Sequence, residues 1–303
     1  MSLEKSRAGA RVSRRGFIGG AAIAMGGGAV LASAAPASAQ TKLPFHLGIT
    51  TYNVLMDWDL DKIVQTLPGL GFEAVELRTT HKHGVEPSLG QPERLAVRKK
   101  FEAGKLRLLS YGTVCEFQAV DPAVRRKNVD VAKEWILLAR DTGAMAIRVR
   151  PNGLPGEVSP ETTIRNIGGC LRELGDYGAG FGIEIWMEVH GPQTQNPPVS
   201  AAIMRAANHQ NVGACWNSNP TDVVNGSVKP SFDLLGPYIK NAHIVELADE
   251  KYPYRELFTL LRQSGYSRFT LCEAQASKEP ERFLRWYKAL WTELCRPIVT
   301  CPP

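Results

Sequence analysis

The chain has 303 residues, 44% of them hydrophobic and 22% charged, which excludes a disordered or fibrous protein and leaves room for a large buried core. Its net charge of +6 is concentrated at the front, where residues 1–39 carry five basic side chains (Lys5, Arg7, Arg11, Arg14, Arg15) against Glu4. The remainder stands at +2, which argues against a nucleic-acid or membrane-surface role.

The first element is an address. Ser13-Arg14-Arg15-Gly16-Phe17-Ile18 is a twin-arginine pattern, followed by the apolar stretch Gly19–Ala35 and the small-residue cleavage site Ala37-Ser38-Ala39. The stretch is rich in Gly and Ala and too short and weakly hydrophobic to form a stable membrane span. Residues 1–39 are therefore expected to be a Tat signal peptide, with a mature chain of residues 40–303, the Tat export machinery as a partner, and a periplasmic or secreted destination. Tat carries proteins already folded, often with a cofactor loaded, which agrees with a bound metal.

The 264 residues past the leader alternate short β-rich runs with amphipathic helical ones. Strands are predicted at 46–52, 74–79, 106–113, 146–150, 183–190, 212–217, 241–246 and 269–275. The intervening helices are predicted at 60–67, 94–103, 128–142, 162–177, 199–208, 230–235, 256–264 and 281–294. Gly71, Gly143, Gly182 and Gly265 lie between a helix and the next strand, where a left-handed cap is wanted. Eight βα units in roughly 250 residues predict an α/β fold, a single (β/α)8 TIM barrel over 40–303. A doubly wound open sheet is the alternative, but no GxGxxG turn follows the first strand. The six cysteines (115, 170, 215, 272, 295, 301) form no CxxC pair, which argues against a zinc cluster or a disulfide scaffold. Cys295 and Cys301 flank Pro297 and leave a late pairing open beside the plainer reading of buried thiols.

Functional groups in such a barrel stand at the C-terminal ends of strands, on axis-facing side chains. Alternation assigns Ile183, Ile185, Met187 and Val189 to the helix side and Glu184, Trp186, Glu188 and His190 to the interior, with packing the plainer role for Trp186. The next three strands offer Asn217, His243 and Glu273 in the same way, with Asn219 just beyond. Glu188, Asn217, His243 and Glu273 make a hard N/O donor set suited to one divalent ion, Mn, Mg, Co or Zn. Any one of them alone is as readily a solvated or hydrogen-bonded structural group; four at successive strand ends are harder to explain so. Arg78 in the second strand and Arg148 and Arg150 in the fourth are candidates to hold substrate, or to pair internally with Glu76, Glu116 or Glu188. His81, on the loop after the second strand, is a further candidate contact. Tyr52, Trp58, Phe117 and Trp216 offer rings that could stack on a sugar.

These residues resemble the xylose isomerase-like TIM-barrel family of sugar phosphate isomerases and epimerases. The likeness rests on Phe72-Glu73-Ala74-Val75-Glu76-Leu77-Arg78, Trp186-Met187-Glu188-Val189-His190-Gly191, Ala242-His243-Ile244 and Leu271-Cys272-Glu273. It implies a metal held by Glu188, Asn217, His243 and Glu273, with Asn217 standing where the family has Asp and so removing one negative charge. It also implies that Glu188 and Glu273 move a proton next to a carbonyl, with His190 orienting or protonating an oxygen. The expected protein is an exported isomerase or epimerase of a sugar or keto-sugar, its partner a small carbohydrate. Lyase chemistry on a 3-keto-glycoside through the same enolate, and a non-catalytic sugar-binding barrel, are the alternatives. The abasic-site endonucleases of the family need more His and Asp than this chain's six His provide. The sugar, the metal and the oligomeric state stay open.

Overall fold

A computed structural model of the protein describes residues 43–297. The expected Tat leader and Cys301, with its possible pairing to Cys295 left open by the sequence, lie outside the described residues; Cys295 itself is buried, as are Cys115, Cys215 and Cys272. Eight parallel strands close into a barrel in sequence order, with β1 (His46–Thr50) hydrogen-bonded to both β2 (Ala74–Arg78) and β8 (Phe269–Cys272). Between these come β3 (Arg107–Glu116), β4 (Ala146–Arg150), β5 (Glu184–Glu188), β6 (Val212–Asn217) and β7 (Ile239–Ile244). Eight helices return the chain: α1 (Leu60–Leu70), α2 (Gln91–Ala103), α3 (Pro122–Thr142), α4 (Pro160–Ala179), α5 (Pro197–Ala207), α6 (Lys229–Leu235), α7 (Tyr254–Gln263) and α8 (Pro280–Leu294). Among the described residues no helix is long and apolar enough to cross a membrane.

Local chemistry starts and stops these helices. The Asp59 carboxylate accepts the Lys62 backbone N–H at 2.9 Å at the head of α1, and Ser159 caps α4 by accepting from Thr162. Prolines occupy the first turn of α3, α4, α5 and α8, where a missing N–H costs nothing. Gly71 and Gly143 end α1 and α3 in the left-handed region, as the sequence demands.

The strands differ from expectation mainly at their top ends. β5 stops at Glu188 and β8 at Cys272, so His190 and Glu273 stand just past their strands, where the backbone is already turning over the barrel mouth. β3 runs on to Glu116, with its register against β4 broken between Gly112 and Glu116. β7 is shifted two residues earlier, so His243 is next to last rather than central.

Two separate apolar regions hold the barrel together. The larger lies between sheet and helices and contains Ile183, Ile185, Met187 and Val189, the face alternation predicted. A smaller cluster of Ala74, Leu109, Ala146, Trp186, Cys215, Phe269 and Leu271 fills the lower interior, and Trp186 is 1% exposed there. Packing is thus the role of Trp186. Below it Glu184 accepts from the Trp186 indole at 2.8 Å, from Lys240 at 3.0 Å and from Arg268. This plug floors a bowl of about 720 Å³ at the N-terminal face. The interior above the plug is polar, and there the candidate residues stand.

Candidate active site

Glu188 at the end of β5, His243 in β7 and Glu273 just past β8 turn to the axis, and their ligand atoms lie within 4.8 Å of one another. His243 Nδ1 stands 3.3 Å from Glu188 Oε1 and 3.2 Å from Glu273 Oε2. Asn217, the last residue of β6, pairs in register with His243 and lines the same cavity as both carboxylates. Its Oδ1 is buried without a hydrogen-bond partner, and so are both ring nitrogens of His243. Buried polar atoms are almost always satisfied, so an unpartnered Asn217 oxygen in a cavity shared with two carboxylates and an imidazole suits a cation. The residues therefore fit the divalent metal that the donor chemistry implies.

Beneath this set lies an ion-pair layer. Arg148, its side chain 4% exposed, donates through Nε to Glu76 Oε1 at 2.9 Å and through Nη1 to Glu188. Glu76 also accepts from Ser110 Oγ at 2.9 Å and sits 3.4 Å from His243 Nε2. Burial would raise the Glu76 carboxyl, but Arg148 and then His243 outweigh it and hold it down at about 2. Glu188 is likewise held well below the usual carboxylate range, burial being overcome by Arg148 and His243. Burial disfavours charge on His243, yet Cys215, Glu273 and Glu76 raise its imidazole well above its ordinary value. In this arrangement His243 is a proton-holding member of the network, and a metal would replace that proton.

The cavity above is about 170 Å³, bounded by Tyr52, Arg78, Arg150, His190, Glu273 and Gln275 among others. His190 enters it from the loop after β5, with Nδ1 held by Asn152 Oδ1 at 3.0 Å. Both loops depend on unusual backbone: Asn152 has φ 63°, and Gly191 has φ 89° with no room for a Cβ, which would lie 2.7 Å from the Asn152 Cα.

Of the two roles the sequence offers the arginines of β4, internal pairing is the one taken by Arg148, which reaches the cavity wall with its guanidinium committed to Glu76 and Glu188. Arg150 donates to Glu116 at 2.6 Å and still lines the cavity, while Arg78 lines it with no carboxylate partner among the described residues. His81 stands behind the lining: its Nδ1 meets Thr51 Oγ1 at 2.9 Å and its ring stacks on Tyr52. Burial, with Arg78 and His83 nearby, lowers the His81 imidazole to about 4, so it is neutral at pH 7. Asn219 also stands behind, its amide donating to the Val189 carbonyl at 2.6 Å and its backbone N–H to Asp222 Oδ2 at 2.9 Å.

Two further residues matter here. Glu76, which the sequence offers only as a partner for the arginines, is also the carboxylate under His243. Asp222 receives the Tyr252 hydroxyl at 2.8 Å, and Tyr252 in turn accepts the Trp216 indole at 3.0 Å, a chain that no sequence motif announces. Trp216 therefore packs and hydrogen-bonds in the wall of the fold instead of meeting a ligand.

Known proteins place the chain as follows. Residues 64–290 match the family model described as xylose isomerase-like TIM barrel. No curated protein matches the sequence significantly. Among solved structures the chain is similar to D-psicose 3-epimerase from Clostridium cellulolyticum H10, solved with D-tagatose (12% identity, TM-score 0.72, 84% of this chain and 100% of that one). It is similar to the IolI protein solved with a zinc atom (18% identity, TM-score 0.69, 83% and 98%). It is also similar to the 3-keto-D-glucoside 4-epimerase YcjR from E. coli (12% identity, TM-score 0.69, 83% and 100%). At these identities the likeness is one of fold.

Proposed function

The chain belongs to the xylose isomerase-like TIM-barrel family, and from that premise we propose that it is a sugar or keto-sugar isomerase or epimerase that moves a proton on the carbon next to a carbonyl. The observation that carries this reading is the convergence of Glu188, His243 and Glu273 on one point, with the unpartnered Asn217 oxygen lining the same cavity. These four residues would hold one divalent ion, Mn, Mg, Co or Zn; the epimerase activities and the zinc named for the similar structures agree with that assignment. When bound, such an ion polarises a carbonyl and stabilises negative charge on its oxygen.

The chain's own residues divide the remaining work. Arg148 and His243 keep Glu188 ionised, which suits it to holding a cation. Glu273, just beyond β8 and 11% exposed, has the freer access to a ligand in the cavity and takes the proton from carbon. His190, steadied by Asn152, leaves its other ring nitrogen for a substrate oxygen. The small cavity favours a single monosaccharide ring, which ranks elimination from a 3-keto-glycoside behind proton shuttling. Export by Tat to the periplasm or beyond is proposed on the leader alone.

The test is metal content of residues 40–303 by elemental mass spectrometry, beside solvent-deuterium incorporation into a ketose. About one ion per chain, with deuterium entering the carbon next to the carbonyl and both lost in Glu273→Gln, is the expected result. A barrel that takes up no ion from Mn, Co or Zn and exchanges no proton overturns the reading.

A further inference from the structure

A larger cavity lies at the opposite end of the barrel from the donor set. The bowl beneath the Trp186 plug encloses about 720 Å³, within the roughly 300–1,000 Å³ of small-molecule pockets. It shares no lining residue with the mouth cavity, and the apolar cluster around Trp186 fills the interior between the two. The N-terminal face of such a barrel ordinarily serves stability, and surplus like charge works against that by repelling itself.

This face nevertheless carries such a surplus. Arg98, Lys105, Arg107, Lys240 and Arg268 line the bowl, and against them stand Glu73 and Glu102 in the lining and Glu184 just beneath. Glu184 is shared by Lys240 and Arg268, and Glu102 answers Arg98. Glu73 meets His46 Nδ1 at 2.8 Å. Lys105 and Arg107, two residues apart at the entrance to β3, form no ion pair among the described residues. With His46 neutral, five cations and three carboxylates leave an excess of two positive charges.

The cations are also held in position. The Arg268 guanidinium lies 5.5 Å over the Trp186 ring, and that of Arg107 lies 5.7 Å over the Phe269 ring. Arg107 thus reaches from β3, past β2 and β1, to the closing strand β8. Lys240 crosses the bare backbone of Gly213, where a Cβ would lie 2.4 Å from the lysine Cγ. An aromatic face fixes a guanidinium from one side and leaves its N–H edges for an anion.

We infer that this bowl is a second ligand site, which takes a compact organic dianion, a phosphate monoester or a dicarboxylate, at the edge formed by Lys105 and Arg107. Two negative charges match the surplus, and guanidinium edges match phosphate and carboxylate in shape. The occupant touches no residue of the donor set, so the inference does not depend on the sugar reading. Because Arg107 joins β3 to β8, the bound dianion steadies the closed barrel and acts on stability rather than on proton transfer.

A matched set of aryl compounds tests this: benzyl alcohol, benzoate, isophthalate and phenyl phosphate. Each is titrated calorimetrically into the chain of residues 40–303 at mildly alkaline pH, where phenyl phosphate is a dianion, and melting is followed in parallel. One dianion is expected to bind about tenfold or more tighter than benzoate and to raise the melting midpoint, with benzyl alcohol doing neither. Preference for phenyl phosphate identifies the phosphate monoester, and preference for isophthalate the dicarboxylate. The advantage disappears when Lys105→Met and Arg107→Met are combined, at two exposed positions where methionine keeps apolar cover over Phe269. It is partly kept in Arg107→Lys and unchanged in Glu273→Gln. Equal binding of benzoate and both dianions, binding of none, or a preference that survives the double variant overturns the inference. A preference lost in Glu273→Gln places the anion at the barrel mouth and overturns it as well.

Discussion

Asn217 sets the charge of the donor group. With Asp in its place the four donors would carry three negative charges instead of two, so Asn217→Asp is expected to tighten divalent-metal binding roughly tenfold, read by competition with a fluorescent chelator. Arg148 sets the charge beneath it. Arg148→Met removes the cation that Glu76 and Glu188 share and leaves both buried carboxylates to His243 alone, which costs about 3–5 kcal/mol in urea unfolding. Adding Glu76→Gln to that variant should recover part of the loss, because it removes one of the two stranded charges. At this scale the axis-facing positions were legible, and so was a choice of partners for the arginines, but not which partner each takes. Glu188, Asn217, His243 and Glu273 follow from two-residue alternation at strand ends. The lodging of Arg148 between Glu76 and Glu188 depends on how far apart β2, β4 and β5 stand across a closed interior, which linear spacing does not encode. Arg78 and Glu76 share one face of one strand, yet depth alone makes one a buried counter-ion and the other a cavity wall.

The elements that aim the site are loops, and their geometry rests on a few contacts between distant segments. Gly191 follows His190 with a backbone that L side chains rarely adopt, against Asn152. Gly191→Ala is expected to cost about 1–3 kcal/mol in thermal stability and to slow proton exchange while metal content is kept, since it displaces His190 but none of the donors. The loop after β6 is pinned by Asp222. Burial pushes its carboxyl up to about 7, against the Tyr252 hydroxyl and Asn219 N–H that favour the charged form. Its ordinary value is 3.8, so the folded state holds a proton between about pH 4 and 7 that the unfolded chain has released. Stability from this group is therefore full below pH 4 and is lost as pH rises through 7. Asp222→Asn should flatten that slope in melting temperature against pH, with both hydrogen bonds still accepted by the amide oxygen. Strand and helix identities were readable from periodicity, and β4 and β6 to the residue. The loop roles of His81 and Asn219 were not, because Thr51 and the Val189 carbonyl, 30 residues away in each case, decide where those side chains point.

As a whole the barrel is complete within residues 43–297, since β1 already begins at His46 and closes on β8. A chain of residues 40–303 should therefore unfold in one transition, with a midpoint raised by Mn, Co or Zn and lowered by chelator in proportion to occupancy, measured by calorimetry. The eightfold alternation made this architecture legible, because no other common fold absorbs eight βα units without a break in composition. Closure between β1 and β8 also sets a timetable. Phe269–Cys272 is the last strand to leave the ribosome, and until it does β1 and β7 present open edges with unpaired backbone groups. Glu273 follows that strand directly, so the same late segment seals the sheet and supplies the final donor. A nascent chain has neither a finished barrel nor a finished site until this segment has been made, so the two are completed together.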